Sequence, residues 1–167
     1  MLERPDEILK RSLQETIAAE RSFESQLRTF SREVDDPQLA RLFAEHAEET
    51  RAQHEQLSAR LEELGGSPSA AKSALAHLYG VAPRAAQLAQ EQSEPTIQDL
   101  IVAFAVESGE IAMYEALAIA AMAAGDPETE QLARRIQEEE RITSDKVWRM
   151  LGPAARRSFE KLTTRAA

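Results

Sequence analysis

Two stretches decide the fold: SREVDDPQLARLF, residues 31–43, and AAGDPETEQLARRI, residues 123–136. Each holds an Asp-Pro dipeptide, Asp36-Pro37 in the first and Asp126-Pro127 in the second. An aspartate accepts hydrogen bonds from the free amides of a helix's first turn. A proline at the first helical position forfeits no bond by lacking an N–H, and its φ is already helical. Two helices therefore start at these dipeptides.

The chain on either side is periodic. Upstream of Asp36, Leu13, Ile17, Glu20, Phe23, Leu27, Phe30 and Val34 recur every three or four residues, which predicts a helix from about Asp6 to Val34. Downstream, Leu39, Phe43, His46, Glu49, Gln53, Leu57 and Leu61 predict a second, from Pro37 to about Leu64, stopped by Gly65-Gly66. Around the other dipeptide, Leu100, Phe104, Glu107, Ile111, Tyr114 and Leu117 predict a helix from about Thr96 to Ala124, ended by Gly125. Leu132, Ile136, Glu139, Thr143, Val147 and Met150 predict a fourth from Pro127 to about Leu151, stopped at Gly152-Pro153 and followed by a short Arg-rich helix. Residues 67–95 read as a helical connector. Two tight hairpins joined by a long link give an all-α, ferritin-like four-helix bundle with one long crossover, formed by residues 1–167 as a single domain.

Composition agrees with an all-α fold and excludes several functions. Glycine (six) and aromatic residues (5%) are scarce, while Ala, Leu, Glu, Gln and Arg dominate. A net charge of −9 argues against nucleic acid, although Arg156, Arg157, Lys161 and Arg165 lie near the end. The longest apolar run, around Leu117 to Ala124, is too short to cross a bilayer, and the start lacks an apolar targeting segment, so a cytoplasmic location is expected. Phosphate-cradling loops and nucleophile elbows are absent, since the glycines sit at helix ends or breaks apart from Gly109. No catalytic residue is assigned. Without cysteine, any metal must be held by oxygen and imidazole ligands.

Sliding the sequence by 90 residues lays Asp36-Pro37 on Asp126-Pro127, Glu20 on Glu110, and Glu48-Glu49 on Glu138-Glu139. Within each hairpin one glutamate lies 16 residues before the aspartate of the turn and another 13 after it, which sets the two at similar heights across an antiparallel pair. Glu107 is one turn from Glu110 on the same face. Five carboxylates, Glu20, Glu49, Glu107, Glu110 and Glu139, are thus expected in one core layer, with Tyr114 a turn beyond; Glu24, Glu48, Glu138 and Glu140 are expected to face solvent. Buried carboxylates need protons or a positive partner. Protonation, His46 or a divalent metal would each serve, and oxygen-rich ligation suits manganese, iron or magnesium. His46 alone reads as a hydrogen-bonded core residue, and His54 and His77 as structural or exposed.

The segments AERSFESQLRTF (Ala19–Phe30), AEHAEETRAQHEQL (Ala44–Leu57), VESGEIAMYEAL (Val106–Leu117) and EEERITSDKV (Glu138–Val147) resemble the YciF-type ferritin-like proteins, a stress-associated bacterial family of the ferritin and rubrerythrin superfamily. The resemblance implies a dinuclear iron or manganese site on Glu20, Glu49, Glu107, Glu110 and Glu139, with Glu140 the alternative on the fourth helix and His46, Gln53 and Tyr114 as possible additions. The superfamily's Glu-x-x-His pairs are not matched, since Ala52 and Ile142 stand three residues after Glu49 and Glu139; Gln53 and Thr143 follow at four. Two functions of different class follow: a dimetal protein with redox or metal-handling chemistry, or a metal-free bundle acting as a structural or interaction module. A homodimer is expected for either.

Overall fold

The computed structural model describes residues 4–68 and 95–165. They form four helices, α1 (Pro5–Glu33), α2 (Pro37–Glu63), α3 (Pro95–Ala124) and α4 (Pro127–Arg165), and no strand. The expected connector, with His77, lies outside the described residues.

Both Asp-Pro turns act as the sequence predicts. The Asp36 carboxylate accepts from the Gln38 amide. The Asp126 carboxylate accepts from both the amide and the hydroxyl of Thr129. Gly65 and Gly125 close the preceding helices at φ 73° and 74°, a left-handed conformation costly for any residue with a Cβ. Arg60, near the end of α2, then clasps the start of α4: its guanidinium donates to Asp126, Glu128 and Thr129 at 2.7 to 2.9 Å.

The fourth helix corrects the sequence reading. Gly152-Pro153 does not stop it; α4 runs on to Arg165 with Pro153 inside. A proline in mid-helix removes one hydrogen bond and crowds the preceding turn, at about 3 kcal/mol. Tertiary contacts offset that cost: Ala154 packs in the same core cluster as Phe30, Leu39 and Phe43, Ser158 is buried, and Arg157 pairs with Asp36 at 2.9 Å.

Each hairpin packs intimately, α1 lies along α3, and α2 and α4 meet only sparsely. The core divides into two apolar clusters. One gathers Leu9, Leu13, Ile17, Leu57, Leu61, Tyr114, Leu117 and Ile136. The other gathers Phe23, Leu27, Phe30, Leu39, Phe43, Ala47, Val106 and Val147. On every helix the switch from one cluster to the other leaves a gap of two or three turns, and polar side chains fill those gaps. No helix among the described residues is long and apolar enough to cross a membrane.

Candidate metal centre

The gap contains, on α1, Glu20; on α2, Thr50 and Gln53, with His46 beside Ala47; on α3, Glu107 and Glu110; on α4, Glu140 and Thr143. Each is at most 4% exposed. All are positioned by the 3.6-residue period that buries their apolar neighbours: Ile17–Glu20–Phe23 on α1, for example, is one continuous stripe.

Contacts within the layer are few. The Tyr114 hydroxyl donates to Glu20 Oε1, between two fully buried groups. His46 Nε2 lies 2.9 Å from Glu107 Oε1. Neither nitrogen of that imidazole completes a well-aligned hydrogen bond, so this is proximity rather than a bond. His46 packs edge-on against Phe23, ring centres 5.3 Å apart, which fixes the plane of its ring. Glu20 Oε2 and one oxygen each of Glu110 and Gln53 are buried without a partner, and the Glu107 and Glu140 carboxyls meet no donor other than a proton shared between them and the Gln53 amide beside Glu140. Orphaned buried atoms of this kind are rare in folded proteins and ask for an ion, a water or a proton.

Electrostatics point the same way. Burial, followed by repulsion from Glu140, pushes the Glu20 carboxyl well above its ordinary 4.5. Burial pushes up Glu107, Glu110 and Glu140 likewise, and the four carboxyls repel one another. The Tyr114 hydroxyl is raised too, by burial and then by Glu20. Burial lowers His46 to about 4, so its imidazole is neutral and a lone pair is free for a cation. Left to itself the layer holds protons; a divalent cation could take their place.

The donor set fits such an ion. One ligand atom each from His46, Glu107 and Glu140 lie within 4.8 Å of one another. An octahedral shell with bonds of about 2.1 Å has ligands about 3 to 4.2 Å apart, so closing it takes only a small side-chain adjustment. Glu20 and Glu110 lie in the same layer outside that tight group and supply further carboxylates.

The expected residues therefore divide. Glu20, Glu107, Glu110, His46, Gln53 and Tyr114 are in the layer. Glu49 and Glu139 are not buried: Glu49 is 47% exposed at its side chain and accepts from Thr143, while Glu139 is exposed and accepts from Gln53. Glu140, expected in solvent, is 1% exposed. The reason is helical phase. From Ile136, steps of three or four residues reach either Glu139 or Glu140, and both continue to Thr143 and Val147; only packing against α3 chooses between them.

The 90-residue repeat survives this correction at the same offset, with different positions buried. Glu20 pairs with Glu110, Thr50 with Glu140, and Gln53 with Thr143, all buried. At 50/53 and 140/143, the buried i, i+3 positions of α2 and α4, this chain reads Thr-x-x-Gln and Glu-x-x-Thr. His46 in the first hairpin and Glu107 in the second have apolar repeat partners, Ile136 and Ile17, so each is an addition in its own half only. The signal that could have found this is Thr50, the uncharged residue beside Glu48-Glu49, whose repeat partner is Glu140.

A family model described as a domain of unknown function, DUF892, matches residues 4–160. No match is found among curated proteins. Solved structures share the fold. The Escherichia coli stress protein YciF is 22% identical, over 90% of this chain and 96% of that one, with TM-score 0.79. A Xanthomonas campestris protein is 24% identical over 95% and 98%, with TM-score 0.80. A ferritin-like, diiron-carboxylate protein of Bacillus anthracis is 18% identical over 90% and 99%, with TM-score 0.71. At these identities the likeness shows the ferritin-like fold alone.

Proposed function

We propose that this chain, which belongs to the DUF892 family, is a ferritin-like metal-handling protein whose core layer takes up two divalent cations, iron or manganese. The observation that carries the reading is the convergence of buried ligand atoms on His46, Glu107 and Glu140, with Glu20 and Glu110 buried in the same layer and no cationic side chain among them. His46, Glu107 and Glu140 would hold one cation; Glu20 and Glu110, buried in the same layer, would help hold the second. When bound, such a pair supplies one-electron chemistry and Lewis acidity. The chain's own residues supply the rest. Tyr114 orients Glu20 by hydrogen bond, Phe23 fixes the His46 ring, and the apolar clusters above and below exclude water. Kinship with a stress protein and a diiron-carboxylate protein supports a role in stress-linked redox or metal handling.

Self-association, with a homodimer as the simplest form, belongs to the same reading. Ile101, Ile119 and Met122 are exposed on α3 at 53%, 45% and 55%, aligned by steps of whole turns along a stripe that includes Ala105 and Ala112.

One observation favours the other reading, a metal-free bundle serving as an interaction module: both histidines of the Glu-x-x-His frames are replaced. Anaerobic titration with ferrous iron separates the two. Two equivalents bound per chain, with a higher melting temperature, is the expected result; no binding at about millimolar supply, far above the Kd of any useful site, would leave the metal-free bundle.

A further inference from the structure

The two open seams of the layer differ in chemistry. On the α1/α3 side a surface pocket is lined mainly by small or apolar groups, among them Thr16, Gly109, Ala112 and Leu117, with Ser12 and Glu15 at its edge. The opposite seam, α2/α4, is sparsely packed and polar in two tiers. Gln53 and Thr143 form the inner tier, 3% and 4% exposed, and Glu49 and Glu139 the outer one. The tiers are linked across the seam. Thr143 of α4 donates to Glu49 of α2 at 3.3 Å, and Gln53 of α2 donates to Glu139 of α4 at 3.2 Å. Lys146 Nζ stands 3.6 Å from the other oxygen of Glu49, both side chains about half exposed.

We propose that the α2/α4 seam is the entry route for divalent cations, in which Glu49 and Glu139 capture the ion, Gln53 and Thr143 pass it inward to His46, Glu107 and Glu140, and Lys146 retards it. This rests on the metal-centre reading above. A hydrated cation gives up its waters only as oxygen ligands replace them, and the seam offers a descending series: two carboxylates, an amide, a hydroxyl, then the buried ligands. The Gln53 amide already donates outward to Glu139, and its oxygen is buried without a partner, free to accept the passing ion.

Cobalt(II), followed by its visible absorption in stopped flow and by equilibrium dialysis, tests this on the full chain. The double variant Glu49→Gln, Glu139→Gln should load about tenfold more slowly at low salt, the lower end of what a cleft's charge contributes to capture rates. Lys146→Gln should load faster, and both differences should shrink as ionic strength shortens the reach of exposed charges. Bound cobalt at equilibrium should not change. Glu138→Gln, which removes an exposed charge paired with Arg141 at 3.5 Å, should load at the wild-type rate. Unaltered loading by the double variant overturns the entry route while the metal centre stands. Loss of equilibrium binding in that variant also overturns it, making Glu49 and Glu139 ligands rather than relays. Wild-type protein that binds no cobalt overturns both.

Discussion

Replacing Glu140 with Gln in cation-free protein isolates what a buried carboxyl costs this fold. Glu140 is 1% exposed, and burial followed by repulsion from Glu107 raises its pKa well above 4.5. In the unfolded chain a glutamate near that ordinary value has lost its proton at neutral pH; in the native core the raised pKa holds the proton to higher pH. Native protein then binds more protons than unfolded protein, so this contribution is fully present below the ordinary value and is lost as pH rises toward the raised one. The loss is about 1.4 kcal/mol per pH unit, or roughly 3 kcal/mol by pH 7 for a carboxyl still protonated there. Glu20, Glu107 and Glu110 carry the same liability, and four such groups would together rival the whole stability of a typical domain, about 5–15 kcal/mol. Glutamine keeps the size and one donor but cannot ionise. The variant should match wild type near pH 5 and exceed it by about 2–3 kcal/mol near pH 7.5, read from urea midpoints by far-UV circular dichroism in chelator. Glu139→Gln, at the exposed rim, should stay within about 0.5 kcal/mol of wild type at both pH values. A Glu140→Gln variant no more stable than wild type at the higher pH, or a gap that does not widen with pH, would refute the argument: Glu140 would then be ionised and satisfied in the native core.

The remaining predictions concern the cation and the clasp. Because the layer's carboxyls hold protons that a cation must displace, metal affinity should rise from pH 6 to pH 8 and binding should release protons; calorimetry in buffers of different ionisation enthalpy counts them, and pH-independent affinity contradicts the assigned protonation. Arg60→Ala removes a largely buried guanidinium bound to Asp126, Glu128 and Thr129 and should cost about 2 kcal/mol by urea denaturation, with cobalt stoichiometry unchanged.

Much of this protein is legible in one dimension because its signals are local. The Asp-Pro starts, the glycine stops and the 3.6-residue periodicity each act within a few residues, through capping and backbone conformation, and together they determine four helices in two hairpins. The repeat, too, is a property of the sequence, and it announces that acids from both hairpins meet at one height. Which acids meet is not local. A one-residue shift turns a side chain by 100° around a helix, so Glu139 and Glu140 satisfy the same spacing, and the choice is made by how α4 rolls against α3. Packing puts Glu140 inside, leaves Glu139 and Glu49 at the rim, brings His46 to 2.9 Å from Glu107, and carries α4 through Pro153 because Ala154 and Ser158 bury beyond it. Periodicity determined that a polar layer exists; only the fit of four helices around it decided which carboxylates are buried in it and which stand at its rim.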